Sequence, residues 1–104
     1  MKDRIPFDMK YRADIEAGKY KVVTRNGDRV VVYSWNDKFN PSRPLVVVGR
    51  NFLGEYNKID MTSRGTFWND EEFQCGLDLF IEPVKSVSLQ RKLAAEAEDL
   101  RNRL

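Results

Sequence analysis

Residues 20–35 read YKVVTRNGDRVVVYSW. Two runs rich in β-branched residues lie on either side of Asn26-Gly27-Asp28, a segment suited to reversing the chain. Asn-Gly is the preferred pair in a tight hairpin turn because both central residues need a positive φ. The pattern therefore predicts a β-hairpin over residues 20–36.

Successive side chains of a strand point to opposite faces of the sheet. In the second run this alternation gives one face with Val30, Val32 and Ser34 and another with Val31, Tyr33 and Trp35. Both faces are apolar, which is typical of a strand that is covered on both sides. We expect one of the two faces to meet a helix.

Further strands are predicted on the C-terminal side of the hairpin. Residues 45–49 form a short apolar run after a loop containing Pro41 and Pro44, and they are expected to form a central strand. Residues 55–61 and 66–68 predict a second hairpin around a turn at residues 63–65. A polar connection begins at residues 70–72, and residues 77–81 predict the last strand.

One helix is predicted before the strands in the sequence, and another is predicted after them. Asp8 suits the N-cap of a short helix over residues 8–17, and Gly18 suits the residue after its end. Residues 86–104 predict a longer amphipathic helix, because apolar residues recur there at spacings of four, four, three and four. This apolar stripe has two alternative uses, docking on the sheet of its own chain or pairing with a second copy as a short coiled coil.

These elements indicate an α+β fold. Its sheet, within residues 20–82, is expected to be a curled antiparallel sheet or a small partly open barrel of five to six strands. A short N-terminal helix and a longer C-terminal amphipathic helix complete it. With 104 residues the chain has room for one core, so residues 1–104 are expected to form a single domain.

The amino-acid composition limits the cellular compartments and the classes of binding partner that fit the protein. The net charge is +2, so a polyanionic partner requires local clustering of basic residues. Cys75 is the only cysteine, which excludes an intramolecular disulfide and favours a reducing compartment. Without a signal sequence or a long apolar run, we expect a cytoplasmic protein with no membrane partner.

The residue types needed for common catalysis are scarce. Histidine is absent, which removes the most frequent general base and zinc ligand. The charged residues nearest to Cys75 in the sequence are the acids Glu72 and Asp78, which disfavour a reactive thiolate. Acidic residues 70–72 and Asp78 match no known ligand loop. We expect no catalytic residues, no cofactor and no metal, and therefore a protein that is not an enzyme.

Two kinds of binding fit the remaining pattern. The first is a non-enzymatic module that binds a protein partner, or itself as a homodimer through the C-terminal helix. Its candidate residues are Leu89, Leu93, Leu100 and Leu104. The alternative is a small barrel that binds nucleic acid with a basic and aromatic face. Its candidate residues are Arg29, Lys38, Arg43, Arg50, Lys58, Arg64, Trp35 and Trp68.

A resemblance to a known family rests on four short motifs. They are Ile-Pro-Phe-Asp at 5–8, Ala-Gly at 17–18, Val-Val-Thr-Arg-Asn-Gly at 22–27 and Asp-Leu-Phe-Ile at 78–81. Over residues 5–82 the chain resembles small proteins of unknown activity from gut bacteria and their phages or mobile elements. Asn26 stands where the family more often has Asp, and the C-terminal helix lies outside the pattern. The resemblance implies an accessory protein that binds host or phage macromolecules.

Overall fold

The fold is described from a computed structural model over residues 4–50, 53, 55–68 and 74–103. Its elements are β1 (Ile5–Pro6), a 3-10 turn (Met9–Tyr11), α1 (Arg12–Glu16), β2 (Tyr20–Thr24), β3 (Arg29–Ser34), β4 (Leu45–Arg50), β5 (Tyr56–Met61), β6 (Leu79–Pro83) and α2 (Val87–Arg103). The strands form one antiparallel sheet in the order β1-β6-β2-β3-β4-β5. The α+β prediction is confirmed, and β1 is a strand that the sequence pattern did not indicate.

Strands β2 and β3 form the predicted hairpin, but with a different turn. Gly27 has a φ of 94°, whereas no described residue other than glycine has a positive φ. The amide of Thr24 donates to the Asp28 carbonyl (2.8 Å), and the amide of Gly27 donates to the Thr24 carbonyl (2.8 Å). The loop thus has three residues and one left-handed glycine, so the expectation of a positive φ at Asn26 was wrong.

An irregularity in β3 changes which side chains share a face. Val32 pairs with Val47, but Ser34 pairs with the preceding residue of β4, Val46, so Tyr33 is an extra residue in β3. The insertion reverses the alternation, and Trp35 joins the buried core with Val32. The predicted placement of Trp35 opposite to Val32 was therefore wrong.

We call the side of the sheet that carries Val32 and Val47 the core face. The N-terminal segment covers it, with Phe7 buried and Ile15 packed against the core. The Asp8 carboxylate accepts a hydrogen bond from the Lys10 amide (2.9 Å), as expected of an N-cap. The predicted helix over residues 8–17 is present as a 3-10 turn that continues into α1.

The segment after β5 crosses the core face instead of returning as a strand. Gly65 closes a turn by donating to the Thr62 carbonyl (2.9 Å), as predicted for residues 63–65. Residues 66–68 then lie outside any strand. The amide of Leu79 in β6 donates to the Gly65 carbonyl (2.8 Å), which ties this turn to a distant strand. The sheet is curled and covered here, but it is not a closed barrel.

Helix α2 docks on the sheet of its own chain. Strands β2 and β3 pair at only two positions and then diverge. Over the opening, Arg101 donates from Nε to the Val32 carbonyl (3.0 Å), and Arg29 forms an ion pair with Glu96 (2.9 Å). Leu100 is 9% exposed. Of the two alternatives for the apolar stripe, docking within the chain is the one observed.

Docking of α2 predicts unequal effects at two leucines of the helix. Leu100→Ala is expected to lower the free energy of unfolding by about 2 kcal/mol, near the low end for a buried leucine, because Leu100 borders an open groove. Leu89 is 44% exposed, and Leu89→Ala should cost less than about 0.5 kcal/mol. Urea denaturation measures both, and equal losses would show that α2 does not dock through Leu100.

Candidate interaction surfaces

The predicted interaction residues of α2 separate into two groups. Leu93 lines a cavity of about 30 Å³ between α2 and the sheet, and Leu100 is buried. Leu89 is exposed near the start of the helix, and Leu104 lies outside the described residues. Within the described residues, Leu93 and Leu100 thus face the chain's own sheet, and Leu89 is left exposed.

The predicted nucleic-acid residues do not form one surface. Trp35 is 7% exposed and stacks on Phe7 with ring centroids 6.0 Å apart, so this ring is not available to a base. Arg29 is engaged with α2. Lys58 lies with Nζ 4.2 Å from the centroid of the Tyr33 ring. The side chain of Arg50 lies outside the described part of the molecule.

The loop over residues 37–44 carries an exposed aromatic residue on an ordered frame. The amide of Asp37 donates to the Pro44 carbonyl (2.8 Å) and closes the loop. The Asp37 carboxylate in turn accepts a hydrogen bond from the Phe39 amide (3.0 Å). The Phe39 side chain is 98% exposed. Its backbone is thus fixed while its ring is left in solvent.

A second group of aromatic contacts lies beside this loop. Arg43, at the end of the loop, donates from Nη1 to the Asp60 carbonyl of β5 (3.0 Å). Its guanidinium carbon lies 5.1 Å from the centroid of the Phe67 ring. The rings of Phe67 and Trp68 meet edge to face, 5.0 Å apart at an interplanar angle of 87°. Trp68 remains 49% exposed.

We call Phe39, Arg43, Phe67 and Trp68 the aromatic end. Of the predicted nucleic-acid residues, the structure brings Arg43 and Trp68 together here. Lys38 and Arg64 are exposed on the same two segments. Phe39 was not among the candidate site residues, although a lone phenylalanine in a polar, proline-containing loop is the signal that marks it.

An open groove of about 400 Å³ runs between α2 and the sheet. Its floor is apolar, formed by Val31, Val48 and Leu100. Two ion pairs line its wall, Arg29 with Glu96 (2.9 Å) and Arg103 with Asp99 (3.1 Å). Because each cation has an anion beside it, the groove carries no charge excess that would select a charged ligand.

Strand β5 forms one edge of the sheet. Among the described residues its only strand neighbour is β4. Lys58 and Asp60 are exposed, whereas Ile59 is half-buried. By register, Lys58 lies opposite Val48 and Asp60 opposite Val46. These two charged residues therefore share the face of the sheet opposite the core face, which we call the outer face.

Two buried carboxylates hold chain segments together. Asp78 is 5% exposed and accepts hydrogen bonds from the amides of Phe67 and Cys75 (both 3.0 Å). Arg25 lies with Nη2 3.4 Å from the same carboxylate. Because donors surround the carboxylate, its role is to fix the segment between β5 and β6. The sequence pattern did not predict this structural role of Asp78.

Glu82 is the second buried carboxylate, with its side chain 4% exposed. Arg4 lies with Nε 3.0 Å from one carboxylate oxygen, and Lys21 lies with Nζ 3.3 Å from the other. Two cations thus compensate one buried anion. This arrangement joins the N-terminal segment to β2 and β6.

Neither a metal centre nor a spanning helix is found in the described ranges. Within residues 4–50, 53, 55–68 and 74–103, no three Cys, Asp or Glu residues meet in a way that would hold a metal ion. Acidic residues 70–72 lie outside these ranges. No described helix has the length and apolar character needed to cross a membrane.

The geometry defines a small α+β domain with an open, curled sheet, a docked C-terminal helix and an exposed aromatic end. In comparisons with known proteins, the chain matches no family model, no curated protein and no solved structure. Its function is therefore inferred from its own surfaces.

Proposed function

We propose that this chain is a non-enzymatic accessory module that binds a protein partner through the aromatic end. The observation that carries the proposal is the 98% exposed ring of Phe39. An exposed phenylalanine adds nothing to the core, and a single one is unremarkable in a protein surface. Here, however, the Phe39 amide is held by the Asp37 carboxylate, in the same loop as Arg43, which contacts the Phe67 ring.

The residue types of the aromatic end are those that contribute most to protein interfaces. Tryptophan and arginine are enriched at interface positions whose truncation costs about 2 kcal/mol or more. Arg43 is already oriented by the Phe67 ring and the Asp60 carbonyl. Such pre-ordering lowers the entropy cost of binding, because fewer side-chain rotamers are lost. The aromatic end thus offers a pre-organised contact surface.

The family resemblance over residues 5–82 supports a setting for this module. We propose an accessory protein of phage or mobile-element type, acting in the cytoplasm. That setting favours a small protein that modifies the action of a larger host or phage component.

Binding of single-stranded nucleic acid is the second candidate function. It is favoured by the half-exposed Trp68 ring, which contacts Phe67 as Arg43 does, and by Lys38 and Arg64, which are exposed on the same segments. Stacking on an aromatic ring contributes about 1–3 kcal/mol per base, and phosphate contacts make such binding depend steeply on salt. Protein binding is preferred because Phe39 has no basic residue stacked on it among the described contacts.

The test is affinity capture from host lysate with immobilised protein at micromolar concentration. The wild-type chain is expected to retain a stoichiometric protein partner. Phe39→Ser combined with Trp68→Ser should weaken binding of the partner by at least about 30-fold, which corresponds to the loss of one hot-spot residue worth about 2 kcal/mol. Val87→Ser is the matched control, because Val87 is an apolar side chain on α2 that is 60% exposed.

Two results would contradict the proposal. One is a wild-type chain that retains no partner, and the other is a double variant that retains it as well as Val87→Ser does. Fluorescence anisotropy with a single-stranded oligonucleotide at about 50 mM and 200 mM salt tests the second candidate. Tight binding that is lost at the higher salt would favour nucleic acid over protein.

A further inference from the structure

We propose that β5 pairs with the β5 of a second copy of the chain, antiparallel and centred on Ile59. Strand β5 has six residues and is the last strand of the sheet within the described part of the chain. Its first five residues are exposed or half-exposed. A strand edge is a template for another strand, although the Asp60 carbonyl already accepts a hydrogen bond from Arg43, which a partner strand that needs this carbonyl would have to displace. The seam between the two copies meets the aromatic end at the hydrogen bond from Arg43 to the Asp60 carbonyl, but the inference does not depend on the function proposed there.

The charge pattern of β5 selects the occupant of this edge. In a two-fold antiparallel pair centred on Ile59, residues equally far from Ile59 in opposite directions face each other. Lys58 of each copy then lies opposite Asp60 of the other copy, and both pairs are on the outer face. Opposite charges that face each other across strands contribute about 0.2–1 kcal/mol per pair. The edge is therefore complementary to itself.

Other arrangements of two copies lack this complementarity. A parallel pair in register would place Lys58 against Lys58 and Asp60 against Asp60, which is unfavourable. The strand neighbours of Lys58 and Asp60 on β4 are the apolar residues Val48 and Val46. No described residue forms an ion pair with either charge. The second copy supplies the missing counter-charges.

On the core face of the sheet, the side chain at the centre of the proposed strand pair is also compatible with a second copy. Ile59 is half-buried and packs against the core, and at the centre of the pair it would meet Ile59 of the other copy. The two isoleucines would extend the apolar contact across the seam. A seam of two edge strands is nevertheless smaller than the standard interface of about 1,600 Å². A weak, reversible dimer is expected.

Sedimentation equilibrium of the full chain from about 10 µM to about 1 mM tests the proposal, since a reversible dimer depends on concentration. The wild-type chain should move from monomer to dimer. Lys58→Glu and Asp60→Lys each place like charges opposite each other twice, and each should weaken dimerisation at least about tenfold. Thermal melts check that each variant is folded, as expected for exposed positions.

Two charge-exchange samples make the test specific. The double variant Lys58→Glu with Asp60→Lys restores both pairs with reversed polarity and should dimerise like the wild type. An equimolar mixture of the two single variants should form a mixed dimer, because every facing pair is then of opposite charge. A wild-type chain that stays monomeric at 1 mM would overturn the proposal. So would a folded double variant that does not recover dimerisation.

Discussion

Gly18→Ala is expected to lower the free energy of unfolding by about 2–5 kcal/mol. Gly18 has a φ of 80°, a backbone conformation that costs a residue with a Cβ about 1–2 kcal/mol. A Cβ here would also overlap the carbonyl oxygen of Gln90 in α2. That oxygen belongs to backbone, so α2 would have to move from its docked position, which adds about 1–3 kcal/mol.

Gly27→Ala is the matched control for this prediction. Gly27 also has a positive φ, 94°, but its closest neighbour to an added Cβ is the flexible Arg4 side chain at 3.2 Å. This variant should therefore show the backbone cost of about 1–2 kcal/mol alone. Urea denaturation compares the two variants. If both lose the same stability, then α2 does not pack on Gly18 as described.

Asp78→Ala is expected to lower the free energy of unfolding by about 3–5 kcal/mol. The substitution removes the acceptor from the amides of Phe67 and Cys75. Each buried amide left without a partner costs about 1–3 kcal/mol. The contact with Arg25 is lost as well. Urea denaturation gives the total, and hydrogen exchange at the two amides locates it, because both should exchange faster.

Asp78→Asn and Asp99→Ala separate the possible causes of such a loss. The Asn variant keeps the size of the side chain but replaces one acceptor oxygen by a donor, so it should lose nearly as much stability as Asp78→Ala. Asp99 forms an exposed ion pair on α2, and its replacement should cost less than about 1 kcal/mol. A mild effect of Asp78→Asn would show that the carboxylate does not organise the segment.

The parts of the fold that were predicted correctly have local causes. The hairpin around Gly27 and the start of α2 depend on residues within a few positions of each other. Ser86 illustrates this, because its hydroxyl accepts a hydrogen bond from the Leu89 amide (3.3 Å) at the first turn of α2. Such signals can be seen in a single sequence.

The parts that were predicted wrongly have distant causes. Residues 66–68 have strand-like composition, but the Phe67 amide binds Asp78 instead of a strand. The insertion at Tyr33 has no composition signal, and it moves Trp35 from the predicted surface into the core. Alternation along one strand cannot reveal an extra residue in its pairing.

The candidate surface residues can also be divided into those that the sequence predicted and those that depend on distant contacts. Arg43 and Trp68 were predicted as binding residues from their type, and the structure places them together. Phe39 is exposed and Trp35 is buried. This difference depends on which aromatic rings pack into the core. Composition alone does not settle this, because so small a fold uses most of its aromatic side chains internally.

The sheet order bears on how the protein folds as it leaves the ribosome. Ile5 pairs with Ile81, and β6 lies between β1 and β2. In the described part of the chain, α2 covers the opening between β2 and β3 through Leu93 and Arg101. Strand β1 thus lacks its partner β6, and β2 lacks one of its two neighbours, until β6 is synthesised. Contacts this distant in sequence form slowly. The nascent chain completes its fold only when residue 103 has emerged, and its apolar surface needs protection from aggregation until then.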